Sequence, residues 1–171
     1  MMTLAFAFWL YVIIFMVIGA MRGWAKELLV MFSVVLSLFL LEVLGRYIGP
    51  VREFFTPPNK SPEFWARSMV LILMVFFGYQ TPNLPRLAGK MTRERLADSL
   101  LGIFLGAVNG FLIVGSLWYF LQDSGYPFPK FITKPSPDPV ILSYLPPRWL
   151  GIPTIYFAVA VAFLFVLIVF I

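Results

Sequence analysis

The few side chains of this sequence that could do chemistry sit beside long apolar runs. Asp98 opens one such run, and Glu42 lies near the end of another. A carboxylate at membrane depth is a candidate proton or ion carrier, because a charge there is costly and is kept for function. Each acid also has a plainer reading. Asp98 and the following Ser99 are good helix-capping types, and a helix N-terminus favours negative charge. Capping is the favoured role for Asp98. Glu42 reads as the deepest acid of the chain, with Arg46 four residues on, the favourable order for a helical salt bridge. Arg22 and Lys26 read as lipid-headgroup contacts and topology determinants.

Other chemistry has no residues to carry it. The chain has no Cys and no His. That removes thiolate iron–sulfur ligation, His- or Cys-linked haem, zinc-finger sites and the usual imidazole base. No nucleophile–base pair, paired catalytic carboxylates, phosphate-cradling loop or metal-ligand cluster stands out. The expectation is a chain that is not an enzyme and holds no metal or cofactor. The net charge of +5 is spread thinly over several loops, which suits lipid headgroups and not nucleic acid.

The elements that must position these residues are apolar helices. Hydrophobic residues make up 61% of the 171 and charged residues 12%, against about 25% charged in a soluble domain. Mean hydropathy is +0.91. The fold class expected is all-α: a polytopic transmembrane helical bundle with a four-helix core plus a fifth C-terminal span. The core occupies residues 1–121, a Pro- and aromatic-rich interfacial loop 122–153, and the last hydrophobic span 154–171.

Span one is read as Thr3 to Ala20. It lacks a basic start and a small-residue cleavage pattern, so it reads as a retained span and not a signal peptide. A basic hinge, Met21 to Glu27, precedes span two, Leu28 to Leu44. A polar loop from Gly45 to Pro62 leads to span three, Phe64 to Tyr79, with Arg67 placed to snorkel. The next connection carries Arg86, Lys90, Arg93 and Arg95, and Leu84, Leu87 and Met91 repeat as on a short interfacial helix. Span four is Ser99 to Leu121. Seven prolines between Pro127 and Pro147 preclude regular helix through most of the next loop. Its Tyr126, Phe128, Phe131, Tyr144 and Trp149 suit a loop lying in the interface or docked on a partner. The fifth run, Ile155 to Ile171, is just long enough to span. Trp9, Trp24, Trp65, Trp118 and Trp149 read as an aromatic belt.

Basic residues divide equally between the two sides. The crowding of Arg86, Lys90, Arg93 and Arg95 beside one span favours an outside N-terminus and a cytoplasmic C-terminus.

Asp98, Gly102, Gly106 and Gly110 fall four apart and share one helical face. Glycine weakens a helix, so such a stripe inside an apolar run indicates a face kept smooth for another helix. A sliding surface or a channel wall is the sharper alternative; static packing is favoured. Asn109 lies beside the stripe and could hydrogen-bond across helices.

Two stretches together resemble the colicin V production protein family. One is Gly19, Ala20, Met21, Arg22, Gly23, Trp24, Ala25, Lys26, Glu27, similar to that family's first-loop pattern. The other is Asp98 with the glycine stripe, which looks like the opening of its last helix. Two departures stand out: no aspartate lies between Leu4 and Phe8, and Asn109 stands where the family usually has arginine. The resemblance covers residues 5 to 121. It implies a bacterial inner-membrane protein linked to peptide-toxin export or envelope upkeep. Expected partners are membrane lipids and other transmembrane helices, of a second copy or of a larger complex. Two other readings stay open. One is an accessory subunit of a respiratory or photosynthetic complex, suggested by the fifth span and the aromatic loop. The other is a channel or transporter.

Overall fold

The computed structural model describes residues 3–55, 60–80, 95–129, 132, 134–135 and 140–170. Thr3 starts the first helix: its Oγ1 accepts the Phe6 N–H at 3.2 Å, an N-cap bond. Helix α1, Leu4–Arg22, then runs uncharged to its last residue. Gly23 breaks it with φ +83° and ψ 161°, a conformation open in practice only to glycine. The Gly23 N–H bonds back to the Gly19 carbonyl at 3.0 Å, and its own carbonyl accepts the Glu27 N–H at 3.3 Å. The same residue therefore closes α1 and opens α2, Trp24–Tyr47. The seven-residue hinge expected from Met21 to Glu27 is a one-residue turn, and Glu27 lies in the first turn of α2.

Short α3, Gly49–Phe54, carries a proline at its start, where no N–H is needed. Two long helices follow: α4, Lys60–Tyr79, and α5, Arg95–Asp123. The interfacial helix expected around Leu84 to Met91 lies outside the described residues. A 3-10 turn at Val140–Tyr144, a short α6 at Pro146–Trp149 and α7 at Thr154–Phe170 complete the chain. Among the described residues there is no strand. Helices α1, α2, α4 and α5 are long and apolar enough to cross a membrane, and α7 is a shorter apolar helix.

Helix α5 is the spine. Its glycine stripe lies along α1 over the whole crossing. A Cβ on Gly19 would run into the Gly102 carbonyl and stand 2.9 Å from the Gly106 Cα; one on Gly106 would run into the Phe15 carbonyl. At Gly110 the same atom would come within 2.9 Å of the Phe15 Cβ and 3.0 Å of the Val12 Cα. On its other side α5 meets α2, and α2 meets α4 and α7. Val30, Val34, Leu38 and Leu41 of α2 form the main core with Leu71 of α4, Leu112 and Phe120 of α5, and Ile155 of α7.

The described parts of the Pro- and aromatic-rich loop pack on their own bundle. Leu142 and Leu145 pack with Phe8, Val12 and Trp118. Pro146 lies so near Gly115 that a Cβ there would be 2.7 Å from the Pro146 Cδ. Phe128 meets Phe64 and Trp65 edge-on at 5.5 and 6.0 Å. Trp118 is therefore a core residue and not a belt residue; its indole N–H donates to the Tyr126 hydroxyl at 3.4 Å. Trp9, Trp65 and Trp149 are exposed, as a belt requires.

Substituting Gly106→Leu forces a branched side chain against the α1 backbone. Overpacking typically costs about 1–3 kcal/mol, and more where backbone must move. The expected outcome is a lower unfolding temperature in detergent and less recoverable monodisperse protein. Phe104→Leu, on the exposed face of α5, leaves both unchanged. An unshifted melt for Gly106→Leu would count against the close crossing.

Candidate functional site

The polar groups that the apolar bundle retains meet where α1 turns into α2. Arg22, the last residue of α1, points its Nε at Glu27 Oε1 at 3.0 Å. Its guanidinium lies 4.5 Å from the Tyr79 ring centroid at the end of α4, and Nη1 donates to the Tyr79 carbonyl at 3.4 Å. Arg22 thus turns most of its side chain toward the Glu27 carboxylate and the Tyr79 ring, and about a quarter of it stays exposed. Glu27 has no exposed surface. Its second carboxylate oxygen, Oε2, accepts the Asn109 amide at 2.8 Å, and the same amide reaches the Glu27 carbonyl at 2.9 Å. Asn109 is also fully buried, midway along α5.

The start of α5 closes the turn from the other side. Asp98 Oδ1 accepts the Trp24 N–H at 3.1 Å. Asp98 is therefore a cap, but of α2 and not of its own helix. Gly23 makes room for it, since a Cβ there would be 2.7 Å from both Asp98 oxygens. An ordinary N-cap side chain cannot serve α2, because its cap position is this glycine. Ser99 Oγ donates to the Ala20 carbonyl at 3.1 Å, satisfying a terminal acceptor of α1. Four helices are thus joined by one charged pair, one amide, one aromatic ring and one borrowed cap.

The other candidate residues fall elsewhere. Glu42 is exposed and is not the deepest acid; Glu27 is. Among the described residues no ion pair joins Glu42 to Arg46, because both face an open cleft at the opposite end of α2, where water competes with the pair. Lys26 is half-buried on the first turn of α2. Arg86, Lys90 and Arg93 lie outside the described residues, and Arg95 is the first residue of α5. Arg67 does not snorkel: it binds Glu63 at 2.7 Å and Asp123 at 2.6 Å. Gly102, Gly106 and Gly110 form the contact face on α1 described above. Among the described residues no group of three or more acids could hold a metal ion.

Sequence reasoning named Gly19 and Glu27 only as members of the first motif, without a structural role, and missed Tyr79. Glu27 was hidden by its neighbours, since a charged run between apolar segments reads as a solvated hinge. The usable signal was Asn109, the lone amide inside a membrane-length run, which requires a buried partner.

Removing one member of a buried ion pair leaves the other uncompensated, at a cost of about 3–5 kcal/mol. Glu27→Ala is therefore expected to destabilise the bundle far more than Glu42→Ala, read as unfolding temperature in detergent. Asp98→Ala is expected to cost about 1 kcal/mol through loss of the cap, with Asp98→Asn losing less. Equal melts for the Glu27 and Glu42 variants would contradict this geometry.

Comparison with known proteins matches the family model described as colicin V production protein to residues 4–137. The match takes in the turn at Gly23 and the glycine stripe, and it runs beyond the limit at residue 121 that the motifs alone indicated. Helices α6 and α7 follow it in the chain. No curated protein and no solved structure matches the chain. With its multi-pass helical bundle and a match over most of its length, the chain belongs to the colicin V production protein family.

Proposed function

We propose that this chain is a non-catalytic protein of a bacterial inner membrane, N-terminus outside, that acts through helix–helix and lipid contacts in peptide-toxin export or envelope upkeep. The family description supports the link to toxin production. One structural observation carries the non-catalytic reading. Glu27, the most deeply buried acid among the described residues, has no exposed surface and has both carboxylate oxygens engaged, one by Arg22 and one by Asn109. A carboxylate so held ties helices together and has no open face toward a substrate.

A channel or proton-carrying role has one observation in its favour. Arg22 Nη2, the Tyr79 hydroxyl and Asn109 Oδ1 are buried around Glu27 without a hydrogen-bond partner among the described residues. A role as accessory subunit of a larger complex loses part of its motive, since Leu142, Leu145 and Pro146 seat the aromatic loop on α1 and α5 of the same chain.

Paired substitution separates the first two. Arg22→Met and Glu27→Met singly each strand a buried charge, whereas the double variant removes both, a change often neutral for stability. Under the scaffold reading the double variant regains both membrane accumulation and toxin release relative to either single variant. A double variant that accumulates normally but releases no toxin would sink the scaffold reading in favour of proton transfer at Glu27.

A further inference from the structure

Two cavities meet at Leu150, one at the end of the bundle opposite the Gly23 turn and one running from there along α2 and α7. The first, about 400 Å³, is a polar cleft at the C-terminal end of α2, lined by Glu42, Arg46, Arg52, Arg67 and Asp123. The second, about 480 Å³, is a groove between α2 and α7, lined almost wholly by carbon, with Leu28, Met31 and Val35 on one wall and Ala158, Ala162 and Val166 on the other. Both volumes fall in the range of ligand sites, roughly 300–1,000 Å³.

The charges of the cleft are not interchangeable. Arg67 is already neutralised by Glu63 and Asp123. Glu42 and Arg46 are not paired with each other, though they stand four residues apart on one helix and line the same cleft. The cleft therefore presents a carboxylate and a guanidinium one helical turn apart. A guanidinium matches phosphate oxygens in a two-bond fork. A carboxylate beside it matches an ammonium group. Beyond Leu150 the groove accepts hydrocarbon. From Thr154 to Val166 it follows α7 for about 18 Å at 1.5 Å per residue, along the N-terminal half of α2 as far as Leu28.

We propose that the cleft and groove together form a site for one phospholipid of the phosphatidylethanolamine class, its phosphate on Arg46, its ammonium on Glu42, and one acyl chain along α2 and α7. A phosphatidylglycerol headgroup offers the phosphate but no cation for Glu42. The site stands apart from the Arg22–Glu27 junction and holds whether or not the chain serves toxin export.

The test uses the full chain, stripped of lipid in detergent and titrated with dioleoyl phosphatidylethanolamine or dioleoyl phosphatidylglycerol, with bound lipid counted by native mass spectrometry. Phosphatidylethanolamine is expected to bind about fivefold or more tighter. Glu42→Gln should abolish that preference, and Arg46→Ala should weaken both lipids. Filling the groove with Ala162→Trp should weaken both as well. Should that variant fail to fold, the exposed Glu42 and Arg46 substitutions decide the matter. Equal binding of the two lipids, a preference for phosphatidylglycerol, or unchanged phosphatidylethanolamine binding in Glu42→Gln would each overturn the assignment.

Discussion

Gly19 and Gly102 bring the backbones of α1 and α5 into direct contact, and the rest of the bundle is arranged around that approach. Each glycine in a helix interior costs about 1 kcal/mol relative to alanine. In a membrane that cost is offset by dispersion contacts and short polar contacts that only a close crossing permits, since burial of apolar surface gives little drive between helices in lipid. The crossing has a second effect. It fixes the start of α5 against the end of α1, so that Ser99 reaches the Ala20 carbonyl and Asp98 reaches the first N–H of α2. A bulkier stripe would push α5 outward and strand both side chains. The glycines are thus a condition for the polar contacts at the turn, not only a packing surface.

That dependence explains why charge is tolerated inside so apolar a chain. Arg22 and Glu27 are held at the two sides of a one-residue turn, where they are close by construction and need little added ordering to pair. Asn109 then fills the remaining carboxylate oxygen from α5, and Tyr79 offers its ring to the guanidinium from α4. No single helix could satisfy these groups. These contacts form together only when α1, α2, α4 and α5 are all in place, so the cluster favours one arrangement of four apolar rods that hydrophobicity alone would leave poorly specified. Buried polar groups are known to confer such specificity in some systems.

The long helices were legible in the sequence because each follows from local composition: apolar runs of spanning length, broken at glycine and proline. The stripe on α5 was legible because its spacing is intrinsic to one helix. What faced the stripe was not, since Gly19 belongs to an element eighty residues away and a single glycine has no period. The same limit applies to charge. Glu42 and Arg46 have an ideal local spacing, yet both face an open cleft and do not pair. Arg22 and Glu27 lack the usual helical spacing, and pair because the Gly23 turn intervenes. Asp98 was correctly read as a cap type, but which helix it caps depends on the tertiary crossing. Proline forbids helix interiors but is welcome at helix starts, so the described part of the loop holds only a 3-10 turn and the four-residue α6, which Pro146 and Pro147 begin.

The two ends of the bundle differ in how their polar groups are engaged, and the difference bears on what each end can do. At the Gly23 turn, Asp98, Arg22, Glu27 and Asn109 are committed to one another and to backbone, so this end resists change: moving α1, α2, α4 or α5 breaks at least one of these contacts. At the opposite end Arg67 gathers Glu63 and Asp123 into a local cluster, and Glu42 and Arg46 stay uncommitted above a cleft. Helix α7 touches chiefly α2 there, with Ile155 seated in the core and its outer face exposed. Uncommitted charge beside a lightly held helix is where an outside molecule can bind with least reorganisation. A rigid polar knot at one end and an accessible mixed-charge cleft at the other thus follow from where polar partners meet: α1 and α5 pack along their length, while the cleft at the far end lies between α2, α4, α5 and the turn before α7.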